Sequence, residues 1–393
     1  MGNSRRLRNY GAYSTVIVSH VTRLFGPTNA LIEYCQRVGR NPRAILHPLL
    51  SERLVTATKW AGRNAEMGTV SSLPTLTPKA IFVYAFQGIA TLRAAIMYSG
   101  ENATYVGVDC FNCALGILLR KFGRVKLVVF YVIDYTPNRF GNIIINYIYH
   151  WLDMFCARRA DCVWNISERI QHVWEEKGIR PHRSIVVPVG VTRARNNRGR
   201  EGCREFNTIV IASSLTRYKG IDLVLDSMGE ILSLHPQVKL EIIGSGEYEP
   251  ELREHAKRLS LGDSVAFKGT MDHGELLEYM SSKGIALSPY EDDPANYTYY
   301  ADPTKIKEYL SCGLPVITTR VPWIARDIER IPMGIAIDYD RTQLVQAMNK
   351  LLTDHDFYLV CSRHALEYVR ALSWDVIFKR AFRETERPIE VAK

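Results

Sequence analysis

The chain lacks any apolar run near the ~18 residues that a membrane-spanning helix requires. Its most continuous apolar stretch, Lys126 to Ile133, stops at Asp134. Cysteine is scarce, with eight in 393 residues, most of them inside apolar stretches. That excludes a disulfide-built scaffold and is the usage of reduced, core-filling thiols in a cytoplasmic protein. Cys110-Phe-Asn-Cys113 has no second pair to complete a zinc site, so no metal is expected. Arg5, Arg6 and Arg8 lead into Asn9-Tyr10-Gly11 rather than an apolar segment, so no secretory leader is expected. Met1-Gly2-Asn3 lacks the Ser or Thr that myristoylation wants at position 6, where Arg6 stands. The sequons at Asn102, Asn165 and Asn296 carry no weight without a secretion route. Short internal repeats are also missing.

What is present is an ordinary globular composition, 47% hydrophobic and 23% charged, long enough for two domains of roughly 200 residues. Charge is unevenly placed. Residues 1–190 hold 23 Lys and Arg against 11 Asp and Glu, a net of +12, whereas the remainder is close to neutral at −3. A basic first half either meets something anionic, such as a phospholipid surface or a phosphorylated acceptor, or carries scattered Arg for solubility. Nucleic acid is not expected, because the basic residues are not interleaved with aromatics in a recognisable module.

Val- and Ile-rich runs of strand length alternate with helical-period segments throughout. In the first half they are Thr15–His20, Ala44–Leu50, Lys79–Phe86, Thr104–Cys110, Lys126–Asp134, Asp161–Ser167 and Ser184–Val191. In the second half they are Thr208–Leu215, Lys239–Gly244, Val265–Gly269, Gly284–Tyr290, Pro315–Thr319 and Gly334–Asp338. Near-continuous apolar strands imply parallel sheets buried on both faces, and the alternation implies two doubly wound α/β domains. The polar stretch from Thr192 to Arg204 marks the break. The expected organisation is residues 1–191, a linker at 192–205, a second domain at 206–355, and helices at 356–393 packing back on the first domain. Ligands of open parallel sheets bind at the carboxyl ends of the strands, which places a site in the cleft between two facing domains.

Three elements of the second half are candidates for chemistry. Ser213-Ser-Leu-Thr-Arg-Tyr-Lys-Gly220 follows a strand and precedes a helix, so Arg217, Lys219 and the helix start form an anion pocket or decorate an exposed turn. Gly244-Ser245-Gly246 ends another strand and permits close backbone approach to a ligand. Asp302-Pro-Thr-Lys-Ile-Lys-Glu308 reads as a helix start with Asp302 as N-cap and Pro303 in the first turn. Free amides at Thr304 and Lys305 suit phosphate oxygens there. Glu308 shares a face with Lys305, either to hold a vicinal diol or as a surface ion pair.

Taken in this order, the elements resemble the nucleotide-sugar domain of GT-B glycosyltransferases, in particular the retaining family 4. The resemblance runs from about Thr208 to Leu352 and includes Lys219-Gly220, Gly244-Ser-Gly-Glu247, Val265–Gly269, Leu276–Met280 and Lys305–Ile317. It implies transfer of a sugar from a UDP- or GDP-sugar to a glycan or lipid-linked acceptor, with no cofactor beyond that donor. Lys219, helped by Arg217, would hold the diphosphate and Glu308 the ribose. Ser214 and Gly244–Gly246 would lie along the nucleotide, and Phe267–Thr270, with Lys268, beside the base. Two positions depart from the family pattern. Ser213-Ser214 stand where it has Gly-Arg, and Tyr300 stands where it has the first Glu of a Glu-x7-Glu pair. Glu291, Asp292, Asp293 or Asp302 would then have to contact the donor sugar. In the first half, His20–Gly26 resembles the glycine-containing loop near the reaction centre. Asp134, followed by Arg139, resembles the strand end facing the sugar, either as acceptor-orienting carboxylate or as Arg139's structural partner.

The departing phosphate takes the acceptor's proton in the scheme this resemblance implies, and domain closure excludes water. Asp338-Tyr-Asp340 is expected to be a turn rather than a metal site. The apolar segment Ile143–Arg159 reads as a buried core helix or as a peripheral membrane face. An epimerase acting on the donor alone and a nucleotide-binding protein without turnover stand as alternatives.

Overall fold

The computed structural model describes residues 14–21, 26–48, 57–60, 80–98, 102–191 and 204–387. The chain divides into two compact units, Met1–Pro188 with Ile377–Lys393, and Val189–Val376.

The first unit is a seven-stranded sheet in the order β3-β2-β1-β4-β5-β6-β7. Its strands are β1 (Thr15–Val21), β2 (Pro42–Pro48), β3 (Ala57–Trp60), β4 (Thr104–Val108), β5 (Leu127–Val132), β6 (Cys162–Asn165) and β7 (Ser184–Val186). All pairings are parallel except β2 with β3, which is antiparallel at the edge. The helices are α1 (Pro27–Arg37), α2 (Ala80–Tyr98), α3 (Cys110–Lys121), α4 (Ile143–Arg159) and α5 (Glu168–Glu176). β4 is buried at every residue and β5 at all but its first, as strands covered on both faces must be.

The second unit is a six-stranded parallel sheet in the order β10-β9-β8-β11-β12-β13. Its strands are β8 (Glu205–Ala212), β9 (Lys239–Ile243), β10 (Val265–Gly269), β11 (Lys283–Ser288), β12 (Val316–Thr319) and β13 (Gly334–Ile337). Around them lie α6 (Ile221–Leu234), α7 (Glu249–Arg258), α8 (His273–Met280), the short α9 (Tyr297–Tyr300), α10 (Thr304–Ser311), α11 (Ile324–Arg330), α12 (Arg341–Thr353) and α13 (His355–Tyr368). Two apolar clusters fill its interior, one including Ile209, Leu225, Leu240 and Met348, the other Val210, Ile306, Leu310 and Ile324. The two doubly wound parallel sheets expected from the strand runs are present.

Four expectations need correction. The run expected at Lys79–Phe86 lies, from Ala80 on, not in a strand but in α2, and Lys79 is outside the described residues; a short continuous apolar run has no period to separate helix from strand. The linker ends earlier than 205. Arg204 already donates to the carbonyls of Cys312 and Gly313, and Glu205 opens β8. The helices after 355 do not all return to the first unit: α13 belongs to the second, with Tyr358, Cys361 and Ala365 in its core and Tyr358 donating to the Gly284 carbonyl. Only the closing helix α14 (Trp374–Glu386), from Ile377 on, joins the first unit. Finally, α4 is not a core helix. Asp153, Cys156 and Ala157 near its end are buried, but Ile143, Ile144, Ile145, Tyr147, Ile148 and Trp151 are exposed, Ile143 by 83%.

α14 closes the first unit through aromatic packing. Phe382 is buried, stacks on Tyr34 at 6.0 Å between centroids and meets Trp164 edge-on at 5.3 Å. The Arg40 guanidinium lies 3.9 Å above the Phe382 ring and is held there by Glu386. The Trp164 indole donates to Thr385 at 2.9 Å. Phe382→Ala is expected to cost about 3–5 kcal/mol of first-unit stability. Urea unfolding followed by tryptophan fluorescence measures it, and a change below about 1 kcal/mol contradicts this packing.

Candidate functional site

Strand order directs attention to two places. In the second unit the connections from β8 and β11, neighbours in the sheet, leave in opposite directions, which opens a crevice at their carboxyl ends. The loop after β8 turns through a 3-10 segment, Arg217–Lys219, into Gly220, whose φ of 65° is left-handed. A side chain at Gly220 would also run into the Pro289 carbonyl oxygen. That contact seats the β8 loop against the β11 loop and sets Lys219 between tyrosines, its ammonium 5.0 Å from the centre of Tyr290 and 5.6 Å from that of Tyr297.

Lys219 has no carboxylate within ion-pair distance among the described residues. Burial alone drops its pKa to about 8. An ammonium desolvated against aromatic faces and lacking a counter-charge is a site for an anion. Tyr297, whose phenol is pushed up by burial, also hydrogen-bonds the Ser214 side chain. Arg217 turns to a different ring, 4.7 Å above Tyr248.

Glu308 lies one turn into α10 and is buried, its side chain 7% exposed. Lys305 donates to one oxygen at 2.7 Å, and the His273 ring nitrogen lies 3.2 Å from the other. A carboxylate has about four acceptor positions, so two such contacts leave room for a diol. The Lys305–Glu308 pair is therefore a buried, oriented carboxylate rather than a surface pair. His273, at the start of α8, was not among the sequence candidates; nothing in its local sequence separates it from an ordinary helix-start residue. No side chain caps the amides at Thr304 and Lys305.

Asp302 does not cap α10; Pro303 occupies that position. The Asp302 carboxylate is fully buried, where it pairs with Lys307 and accepts from the Val189 amide and the Trp323 indole. It is thereby removed as a sugar-contacting substitute for the missing Glu. The close approach at Gly244 and Gly246 is to the chain's own backbone: side chains there would strike Ser213 and Leu215. Ser213 donates to the Ile243 carbonyl and Leu215 to that of Ser245, both at 3.0 Å, so the glycines fit the β9 turn to the cation-bearing loop. Lys268 stands apart from the other candidates, in a chain of charges through Glu241 and Lys283 to Glu205 at the start of β8. Asp340 caps α12 through the Gln343 amide, and Asp338 pairs with Arg320. Tyr300 packs edge-on against Tyr299 in the loop that supplies Tyr297.

In the first unit the reversal falls between β1 and β4. His20, at the end of β1, places Nδ1 2.8 Å from an Asp109 oxygen and Nε2 3.0 Å from the Gln87 side-chain oxygen. Asp109 follows β4 and caps α3 through the Asn112 amide, with φ 75° and ψ 165°. That conformation belongs to glycine and strains a side-chain-bearing residue by about 1–3 kcal/mol. The Asn112 side chain donates to Asp109 and to the Val108 carbonyl, while its buried Oδ1 finds no partner among the described residues. Burial opposes the His20 imidazolium, but the Asp109 contact and Gln87 outweigh it and raise the pKa. Neighbouring His47, buried beside His20, is pushed down to about 3 and stays neutral. Asp134 is half exposed and pairs with Arg139 at 2.9 Å, and Arg139 lies 5.1 Å from the Tyr149 ring centre. Gly26 precedes α1 in extended conformation with open space around it, and residues 22–25 of its loop lie outside the described residues.

Residues 195–367 match the family model of glycosyl transferases group 1. Over 178 residues, 45% of this chain and 37% of the relative, the sequence is 31% identical to the phosphatidylinositol N-acetylglucosaminyltransferase gpi3 subunit of Schizosaccharomyces pombe. Over 196 residues, 47% and 45% respectively, it is 26% identical to the D-inositol 3-phosphate glycosyltransferase of Corynebacterium jeikeium. The chain thus spans less than half the length of either relative. Sucrose-phosphate synthase from Thermosynechococcus elongatus superposes with a TM-score of 0.67, covering 95% of this chain and 98% of that one at 15% identity. The protein has the GT-B fold. The match to the group 1 glycosyl transferase model, residues 195–367, lies in its second unit, over the stretch where the resemblance in residues 208–352 was read.

The Lys219 environment yields a prediction. Its folded pKa of about 8 lies below the ordinary 10.5, so the unfolded chain holds more protons between those values. Stability therefore rises with pH across that window, and at neutral pH the half-buried charge costs at most about 3 kcal/mol. Lys219→Met is expected to raise the second unit's melting temperature at pH 7, with the gain shrinking towards pH 10. An unchanged or lower melting temperature contradicts the assignment.

Proposed function

We propose that the protein transfers a sugar from a nucleoside-diphosphate sugar to a lipid-linked acceptor. The observation that carries this reading is Lys219, a half-buried cation with no carboxylate in ion-pair distance among the described residues, at the carboxyl end of the second sheet and in the same unit as the buried Glu308 carboxylate. The diphosphate supplies the missing anion at Lys219 and at the first-turn amides of α10. The ribose hydroxyls donate to the free acceptor positions of Glu308, which Lys305 and His273 hold in place. As the glycosidic bond of the donor breaks, negative charge grows on the departing phosphate, and Lys219 binds that state more tightly than the ground state. Retention of configuration, a UDP- or GDP-sugar donor, and catalysis without a metal follow the family pattern and belong to this proposal. So do acceptor orientation by Asp134 and Arg139 and a cytoplasmic location.

The names of both relatives favour an inositol-containing acceptor, and that of the Schizosaccharomyces pombe relative favours a lipid. A surface feature agrees with it. On α4, Ile144, Ile148, Trp151, Phe155 and Arg158 follow one another at helical spacing, with Trp151 stacked on Phe155 at 5.9 Å. Such an apolar line ending in a cation, on a half of the chain with net charge +12, suits the interface of an anionic bilayer.

Two measurements test this. Thermal unfolding against UDP, GDP, ADP, CMP and dTDP is expected to show stabilisation by one of the diphosphates, about 2.7 kcal/mol at a hundred times its dissociation constant. Glu308→Ala is expected to abolish it, and no stabilisation by any nucleotide defeats the donor site. Ile144→Ser with Ile148→Ser is expected to lower co-sedimentation with phosphatidylglycerol-containing vesicles by about tenfold. Equal binding by both proteins removes α4 as the contact.

A further inference from the structure

We propose that Asn296 and Thr298 set the donor-sugar specificity of this protein, and that the short helix α9 shifts to present them. The inference rests on the transferase reading above. It names, within that reading, two neutral residues that the sequence candidates did not include.

Two loops of the second unit pack around Lys219. One follows β8 and holds Ser214 and Thr216; the other follows β11 and holds Tyr290 and α9. They meet through the close approach of Gly220 to the Pro289 carbonyl and through the hydrogen bond between Ser214 and Tyr297. In these loops Thr216 Oγ1, Asn296 Nδ2 and Thr298 Oγ1 are closed to solvent and have no hydrogen-bond partner among the described residues. Asn296 is 5% exposed and Thr298 4%. A buried polar atom left unpaired destabilises the arrangement that leaves it so.

Asn296 is matched on one side only. Its Oδ1 caps α9 by accepting from the Thr298 amide at 3.0 Å, while Nδ2 of the same side chain has no acceptor. A cap needs only the oxygen, which a serine supplies without an amide nitrogen to satisfy. The side-chain amide donates two hydrogen bonds, and the Thr298 hydroxyl both donates and accepts. That set matches the hydroxyls of a sugar. Neither group is charged, so the pair suits a neutral hexose or its N-acetylamino form rather than a sugar acid. Tyr297, between the two, borders the Lys219 ammonium at 5.6 Å from its ring centre. In the proposed reading Lys219 holds the phosphate to which the sugar is bonded, and the pair flanks that point.

Both atoms are shielded in this structure, so a sugar reaches them only when α9 moves. The helix is a single turn of four residues. Its unpaired atoms disfavour the present position relative to one in which the sugar pairs them, and the donor drives the shift by supplying those pairs.

The test uses the full chain and calorimetric titration with UDP, GDP, UDP-glucose, UDP-galactose, UDP-N-acetylglucosamine and GDP-mannose. Thr298→Val keeps the shape and removes the hydroxyl, and Asn296→Ser keeps a capping oxygen and removes the amide. Each is expected to bind the free nucleoside diphosphate as the unaltered protein does. Each is expected to bind the preferred sugar nucleotide about tenfold more weakly. Without ligand, Thr298→Val is expected to melt at or above the temperature of the unaltered protein, because the lost hydroxyl had no partner. A melting temperature lower by about 3 °C or more means that the hydroxyl is paired within the fold, and overturns the proposal. Unchanged binding of every sugar nucleotide by both variants overturns it as well. If the unaltered protein binds no nucleotide and no sugar nucleotide, the transferase reading itself falls and takes this proposal with it.

Discussion

The ion pair between Asp302 and Lys307 underlies the geometry of the second unit. Both side chains are fully buried, and neither would be tolerated alone at that depth. Lys307 also donates to the Val189 carbonyl, and Asp302 accepts from the Val189 amide. One backbone residue thus receives both ends of the pair, which fixes where α10 begins relative to the segment at Val189. The orientation of Glu308 follows, because it lies one residue beyond Lys307 on a helix of eight residues. Burial lowers the Lys307 pKa while Asp302 opposes that shift, so the pair persists as an ion pair only because every remaining polar atom is engaged.

Lys219 presents the opposite arrangement. Its charge is half-buried beside two tyrosine rings, with no carboxylate in ion-pair distance among the described residues. A protein that can satisfy Asp302 and Lys307 so completely leaves Lys219 unmatched at a cost in stability, and a bound anion removes that cost. The same contrast appears in the first unit between Arg40, matched by Glu386, and His20, whose second nitrogen faces only a neutral amide. In each unit the less completely matched group sits at the strand-order reversal, where helices on both sides leave the sheet edge open.

Much of the fold was legible because parallel strands buried on both faces need continuous Val and Ile, and β5 or β9 can be little else. The misread run at Lys79–Phe86 shows the limit: continuous apolarity states burial, not backbone conformation. The α4 segment misled in the opposite direction, since an all-round apolar helix is read as buried and here half of it faces outward. For the proposed donor side, Lys219-Gly220 and Lys305–Glu308 were visible as candidates because they are loop and helix residues adjacent in sequence. His273 and the His20–Asp109 pair were not. His20 and Asp109 lie 89 positions apart, and their contact exists only once β1 and β4 are neighbours.

That distinction also bears on the two departures from the family pattern. Ser214, where the family pattern has an arginine, hydrogen-bonds Tyr297, one of the two rings beside Lys219. Tyr300 replaces a carboxylate, yet it belongs to the same short helix, α9, that begins with Tyr297. The two losses are therefore coupled. In the proposed reading, the missing second cation leaves less positive charge near a diphosphate, and the missing carboxylate leaves less negative charge beside it. Aromatic walls raise the electrostatic effect of the one cation that stays by excluding water from it. In the proposed reading, one lysine set between tyrosine rings then takes the part that the family pattern divides between a lysine and an arginine.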